Sequence, residues 1–479
     1  MRLGLLTVAL LVLTPSAAGA ACANAKLHTN EAAAAYRAGR YADAEREYKT
    51  AIAEAERVKA AAEVATATGA LAGLYREQAR FKEAEPLQRQ ALTLSESVFG
   101  AEHAKVAVAL AGLAGLYRDQ ARYGEAETLA RRAIALGERV GPSEPAGLAA
   151  GLANLAAVTR ETGRYADAAR LHGRLGSMFD GANGFDSMLA WNAYGTAAVQ
   201  RLRGRYADAE ATFKRALATF ERLAGDQSLA VAVGRGALAS VYTDVGRYGD
   251  AEALYRRSLS VTTRILGQDH ITPAWSYVGL ANVYRDRRRH ADAEPLYQKA
   301  LASFEMHLGS RHPSTALVLA CRAGLQRDQG RLEEAEASYK QAIAVMNETL
   351  GPQHPTMAIS LGGLAIVYRD RGRLTDADET HRKALAVLER VLGPDHPAVA
   401  TSVLGLGNVA RDRGDTATAE KHYRRGIASR EAALGADHPY VATALEDYAK
   451  LLRNTSRAGE ADEREVRARR IWSRLANSD

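Results

Sequence analysis

Apolar residues recur along this chain with a helical rather than an alternating period. Leu361, Leu364, Ala365, Val367 and Tyr368 stand at offsets of three, four, six and seven, on one face of a helix. Arg371-Gly372-Arg373 interrupts the run. A second run passes through Ala377, Ala384, Leu385, Leu388, Val391 and Leu392, and Gly393 stands where a left-handed cap would end it. The pattern predicts two antiparallel helices of about 15–19 residues, each about 22–28 Å long at 1.5 Å per residue.

The same pair is written along the whole chain. An Arg-Tyr-like step at Arg40, Arg80, Arg122, Arg164, Arg205, Arg247, Arg289, Arg331, Arg373 and Arg457 sets a unit of about 42 residues. Alanine holds one register eleven times, at Ala44, Ala84, Ala126, Ala168, Ala209, Ala251, Ala293, Ala335, Ala377, Ala419 and Ala461. A residue that small marks a place where two helix backbones approach closely. Eleven hairpins are expected between Asn24 and the C-terminus, in an all-α solenoid. Within it, residues 21–58 form an N-terminal repeat, 59–184 repeats with an irregular third unit, 185–435 regular repeats, and 436–479 a C-terminal capping repeat. The irregular unit reads LHGRLGSMFDGANG from Leu171, with four glycines. Glycine costs a helix about 1 kcal/mol each, so its second helix should be short or bent. The last unit should turn Ile471, Trp472 and Leu475 inward beneath a polar outer face.

Successive hairpins are joined by a recurring linker. Leu392 to Ala400 reads LGPDHPAVA, with near-copies LGSRHPSTA, LGPQHPTMA and LGADHPYVA. Leu-Gly closes one hairpin, Asp395 or its neighbour caps the next helix, and Pro397 suits a first turn that needs no N–H. His103, His270, His312, His354, His396 and His438 share one slot. Consecutive copies lie about 10 Å or more apart, whereas zinc holds its ligands at about 2 Å. They are therefore expected to shape turns, not to bind metal.

Composition adds exclusions. Apolar residues make up 47% and aromatics 6%, a mixture that favours helices. A net charge of +7 over 479 residues is no nucleic-acid signature. Cys22 and Cys321 lie 299 residues apart in what reads as an elongated array, so neither a disulfide nor a cysteine metal site is expected. Gly405-Leu-Gly-Asn-Val-Ala imitates a dinucleotide fingerprint but lies inside a helix with no strand before it. No nucleophile–base pair or phosphate loop is present, so neither catalysis nor a cofactor is expected. The start of the chain differs from the rest: Arg2 is its one charge, Leu3 to Leu13 is apolar, and Ala18-Gly19-Ala20 follows Pro15. This is the pattern of a secretory signal over residues 1–20, which predicts an exported protein, periplasmic or secreted. Cys22 offers lipidation as the alternative. No second apolar segment is long enough to span a membrane.

Leu74-Tyr75 with Ala84-Glu85 and Ala91-Leu92, and Val283-Tyr284 with Ala293-Glu294 and Ala300-Leu301, resemble the tetratricopeptide repeat, whose usual unit is 34 residues. The longer unit and its LGxDHPxVA linker resemble the kinesin light chain type, common also in bacterial proteins. The resemblance covers about residues 24–479. Kinesin light chains are cytosolic and this chain has a leader, so motor cargo binding is not carried over.

The resemblance implies a right-handed superhelix whose first helices line a concave face that binds peptides or extended segments. The residue after the repeat's Tyr position then points toward that face. It is arginine in nine units: Arg76, Arg118, Arg160, Arg201, Arg285, Arg327, Arg369, Arg411 and Arg453, while Thr243 breaks the row. The next residue is acidic in eight, from Glu77 and Asp119 to Asp370 and Asp412. Such a row either ties repeats together as a ladder or grips a partner's carboxylates. Asn282 and Asn408 match a family position that holds a bound peptide's backbone. Trp191, Tyr194 and Trp275 match groove-lining positions. The implied site is Arg201, Arg285, Arg327, Arg369 and Arg411 with these five residues, and the implied partner is a protein offering an extended acidic segment. The alternative is a structural component that organises a cell-envelope complex through its outer surfaces.

Overall fold

The computed structural model describes residues 17–37, 40–180 and 184–476. Every regular element among them is an α-helix. They are α1 (Ala17–Arg37), α2 (Tyr41–Arg57), α3 (Ala61–Glu77), α4 (Phe81–Phe99), α5 (Ala104–Asp119), α6 (Tyr123–Val140), α7 (Ala146–Glu161), α8 (Tyr165–Ser177), α9 (Asp186–Leu202), α10 (Tyr206–Ala224) and α11 (Leu229–Asp244). The second half holds α12 (Tyr248–Leu266), α13 (Ile271–Asp286), α14 (His290–Leu308), α15 (Pro313–Asp328), α16 (Leu332–Leu350), α17 (Pro355–Asp370), α18 (Leu374–Leu392), α19 (Pro397–Asp412), α20 (Thr416–Leu434), α21 (Pro439–Asn454) and α22 (Ala458–Ala476).

Consecutive helices pair as eleven hairpins, as the repeated marker residues require. The eleven register alanines are all fully buried, because each stands where two backbones touch. The odd-numbered helices also meet one another, as α5 does α7 and α11 does α13, whereas the even-numbered ones do not. The odd helices therefore lie on the inside of the curve. Being enclosed on most sides, they bury residues all round: α17 buries Met357, Ala358, Ser360, Gly362, Leu364, Ala365 and Val367, while its partner α18 buries a single face. The Tyr, Arg and Glu of the repeat form one staple. Arg122 Nη1 donates to Glu85 of the preceding hairpin at 3.0 Å and lies over the Tyr117 ring, 3.7 Å from its centroid. Arg373, Glu336 and Tyr368 repeat the arrangement.

One expectation needs adjusting, and two others can be followed in the structure. Gly393 ends α18 at φ 88°, ψ 160°, an extended conformation essentially reserved for glycine, rather than a left-handed helical cap. α8 is 13 residues long where most second helices have 19, so the glycine-rich unit does shorten. At the C-terminus Ile471 is buried and Trp472 Nε1 donates to Glu446 at 2.8 Å, whereas the side chain of Leu475 lies outside the described residues. Of the expected leader, residues 1–16 lie outside them too; α1 begins at Ala17.

The array is not elongated. It coils on itself, and the return is written in five hydrogen bonds. His270 Nε2 donates to the main-chain oxygen of Glu77 (2.9 Å), His312 to Asp119 (3.1 Å), His354 to Glu161 (2.8 Å), His396 to Leu202 (3.2 Å) and His438 to Asp244 (3.1 Å). Each joins the start of an inner helix to the end of the inner helix five hairpins earlier. Hairpins two to six thus carry hairpins seven to eleven, and the superhelix makes one turn in about five units. Cys22 and Cys321 are free thiols.

Candidate functional site: the inner face and the seam between turns

The arginines predicted for the groove stand in a row at the C-terminal ends of the inner helices, and each holds acids. Arg76 Nε meets Asp119 of the next hairpin at 2.8 Å, and Arg201 Nε meets Asp244 at 2.5 Å. Arg285 lies 3.2 Å from Asp286 and 3.8 Å from Asp328. Arg327 is paired with Asp328. Arg369 lies 2.6 Å from Asp370 and 3.9 Å from Asp412. Arg411 lies 2.7 Å from Asp412 and 3.7 Å from Asp447. The row is a ladder: Arg76 and Arg201 reach the next hairpin's acid closely, whereas Arg285, Arg369 and Arg411 pair with the acid beside them and lie 3.7–3.9 Å from one on the next hairpin.

The ladder's charges answer to their surroundings. Burial alone would push Asp119 up, but Arg118 and Arg76 beside it hold its carboxyl below the usual range. Burial does raise Asp244, because Arg201 offsets only part of that cost.

The asparagines are engaged from below. Asn282 accepts from the Tyr297 hydroxyl at 2.5 Å. Asn408 accepts from Tyr423 at 2.6 Å and from Arg411 at 3.0 Å, and donates to Asp447 at 3.1 Å. The aromatic candidates divide. Trp191 and Trp275 are 43% and 44% exposed, whereas Tyr194 is half-buried, edge-on to Trp191 and Phe213. The tryptophans occupy the same register, ten residues before the row's arginine. Leu27, Val108 and Ile359 hold that register in other units and are exposed as well. The inner face therefore carries an apolar band above a charged ladder, a band that no single repeat would reveal.

The linker histidines do more than shape a turn, which is where the sequence reading fell short. In His270, His312, His354, His396 and His438 the Nδ1 accepts the N–H two residues on, at 3.0–3.1 Å. They, and not residues such as Asp395, are the N-caps. The opposite nitrogen crosses to the other turn. Burial lowers the pKa of all five, and for His270 and His438 it falls to about 4. His103, in the first turn, caps α5 and stacks on Phe99, 4.8 Å between centroids. A cavity of about 420 Å³ opens at the seam, with Arg76, Arg118, His312, His354, Trp275 and Leu317 among its lining. It joins the ladder of one turn to the apolar band of the next. Among the described residues one trio, His28, Glu31 and Glu47, brings three ligand atoms within 4.8 Å of one another.

No curated protein matches the chain. Among solved structures, a Rap protein complexed with Competence and Sporulation Factor superposes with a TM-score of 0.59 at 13% identity, over 79% of this chain and 100% of that one. BtubC from P. vanneervenii gives 0.37 at 19% identity, over 48% of this chain and 92% of its own. A putative kinesin light chain from Podosopora anserina with nearly identical repeats gives 0.33 at 23%, over 41% and 94%. The tetratricopeptide repeat model matches residues 23–97, 63–139, 186–260, 230–306, 314–387, 356–432 and 403–474. With eleven helical hairpins and these matches over most of its length, the chain belongs to the tetratricopeptide repeat family.

Proposed function

We propose that the protein is a non-catalytic scaffold that takes an extended, acidic segment of a partner protein along the inner face of its superhelix. The observation that carries this reading is the shared register of Arg201, Arg285, Arg327, Arg369 and Arg411. The 3.7–3.9 Å rungs of Arg285, Arg369 and Arg411 are loose enough to trade an internal carboxylate for a partner's. The size of the interior favours an extended segment. Five helices spaced about 10 Å apart form a ring with axes about 8–9 Å from its centre. A helix and its side chains take about 5–6 Å of that radius, which leaves room for a strand and none for a helix. A Rap protein of the same fold was solved complexed with a factor, which supports a binding role. We further propose export, on the strength of the apolar leader; a mature N-terminus at Ala21 would agree, and retained Met1 on a cytosolic species would refute it.

The test is a partner captured from envelope extract and mapped to a peptide. Arg327→Ala with Arg369→Ala should weaken its binding by about 2–4 kcal/mol, on the scale of charge-assisted hydrogen bonds. It should also flatten the salt dependence. Unchanged affinity in a folded double variant would reduce the row to a ladder.

A further inference from the structure

We infer that the seam between the two superhelical turns is a proton-operated latch, which parts in mild acid and uncovers the cavity between the turns. The geometry of the five histidines carries this. Each ring uses both nitrogens, Nδ1 as acceptor of its own helix's N–H and Nε2–H as donor to a carbonyl of the other turn. Only the neutral Nε2–H tautomer can do both. A proton added at Nδ1 would face an N–H, and a flipped ring would lose both bonds. Five rings make the same demand along one seam, so their responses reinforce one another.

The seam can part without dismantling the hairpins. Among the described residues, no helix of one turn lies alongside a helix of the other; the turns meet through helix ends. Leu308 and Ile271 rest on the cluster that holds Phe81, and Leu392 on that of Tyr165. Glycines record the coverage. A methyl group at Gly163 would stand 2.8 Å from Pro355 Cδ, and one at Gly246 2.9 Å from Pro439 Cδ, while Gly330, Gly372 and Gly414 have nothing within 4 Å. The upper turn's own ends carry no third turn.

The charges around each ring are mixed. His270 faces the main chain of Glu77 and the His307 ring, 5.9 Å between centroids. His312 feels the carboxylates of Asp119 and Glu161, and His354 that of Glu161. Those acids favour the imidazolium, but Arg76, Arg118 and Arg160 already hold them. His396 meets the main chain of Leu202. His438 faces the main chain of Asp244 and the Arg430 guanidinium, with the Tyr440 ring 5.1 Å away. Burial outweighs these acids at every ring. In an open seam the rings return to about 6.5. The latch is therefore fully closed above that pH and weakens as pH falls toward 4, where His270 and His438 titrate when closed. At pH 5 each of those two shifts the balance toward opening about 30-fold, together about 1000-fold.

Small-angle scattering of the full chain tests this, with far-UV circular dichroism in parallel. From pH 7.5 to 5.0 the maximum dimension should grow reversibly while helicity holds. Imidazole 15N spectra should show the Nε2–H tautomer vanish over the same range. A variant with His270, His312, His354, His396 and His438 all changed to Asn keeps the caps but cannot bridge or titrate. Its dimensions should be the same at both pH values. Should that variant not fold, H354N and H396N singly should each move the midpoint of the wild-type expansion. Rings that titrate at constant dimensions, growth only where helix is lost, or a variant that still expands would each overturn the latch.

Discussion

His354 donates its Nε2–H to the main-chain oxygen of Glu161 at 2.8 Å, across 193 residues. A solenoid's stability is ordinarily a sum over neighbouring repeats; this bond and its four equivalents couple each unit to the one five away as well. Unfolding should accordingly be more cooperative than nearest-neighbour contacts alone would make it.

The single-residue consequence is a graded loss at position 354. His354→Ala removes a cap and a crossing bond, each about 1 kcal/mol, and should cost about 2 kcal/mol in urea unfolding. His354→Asn keeps an acceptor for the cap and should cost about half as much. Equal losses would mean that the cap contributes nothing, and a His354→Asn variant as stable as the parent that the crossing bond contributes nothing.

Two glycines isolate the contact between turns from backbone strain. Gly163 and Gly372 share φ values of +77° and +76°, but only Gly163 lies under a proline of the next turn. Alanine at either site meets the left-handed penalty, about 1–2 kcal/mol. Gly163→Ala must also displace Pro355, which adds about 1–3 kcal/mol for overpacking. Thermal melts of the two variants should differ by that margin; coincident melts would say the turns yield freely.

The hairpins were legible because each rests on local rules: a 3.6-residue period, a glycine or proline at many of the boundaries, an alanine at each close approach. The coil was not, although its marks are in the chain. Second helices open on Phe81, Tyr123, Tyr165, Tyr206 and Tyr248 in the lower units, but on His290, Leu332, Leu374, Thr416 and Ala458 in the upper ones. Linker histidines do the reverse, appearing without a gap from His270 to His438. Aromatic residues mark the ends that carry another turn, and histidines the ends that rest on one. Nothing local says that the two sets meet, since pitch is the sum of many small rotations between hairpins. For the same reason the arginine row could be numbered in advance, while its internal acids could not be assigned across units.

His381 should make the fold acid-sensitive on its own account. The ring is fully buried in α18 with neither nitrogen hydrogen-bonded, and burial lowers its pKa to about 4. The unfolded chain binds that proton near 6.5. Its contribution is intact above 6.5 and is lost as pH falls toward 4, by about 2 kcal/mol at pH 5. His381→Phe keeps a ring of similar size against Gly405 and cannot titrate. The variant's stability relative to the parent should rise by about that amount between pH 7.5 and 5 in urea titrations. A constant difference would show that the buried ring is protonated without penalty.

The pair Arg201–Asp244 separates a ladder from a row kept for a partner. The carboxyl of Asp244 is raised by burial even with Arg201 at 2.5 Å, so it depends on that arginine to stay ionised. Arg201→Ala leaves a half-buried carboxylate without its cation. Breaking such a pair from one side costs more than replacing both partners, and partial exposure reduces the figure to about 2 kcal/mol. Asp244→Asn in the same chain removes the stranded charge and keeps the main-chain oxygen that receives His438. The double variant should recover at least half of the loss at pH 7, and the single variant should recover as pH falls and Asp244 takes up its proton. If Arg201→Ala instead melts like the parent at pH 7, the arginine contributes little to the fold. Its place in the row would then have to be explained by what it binds.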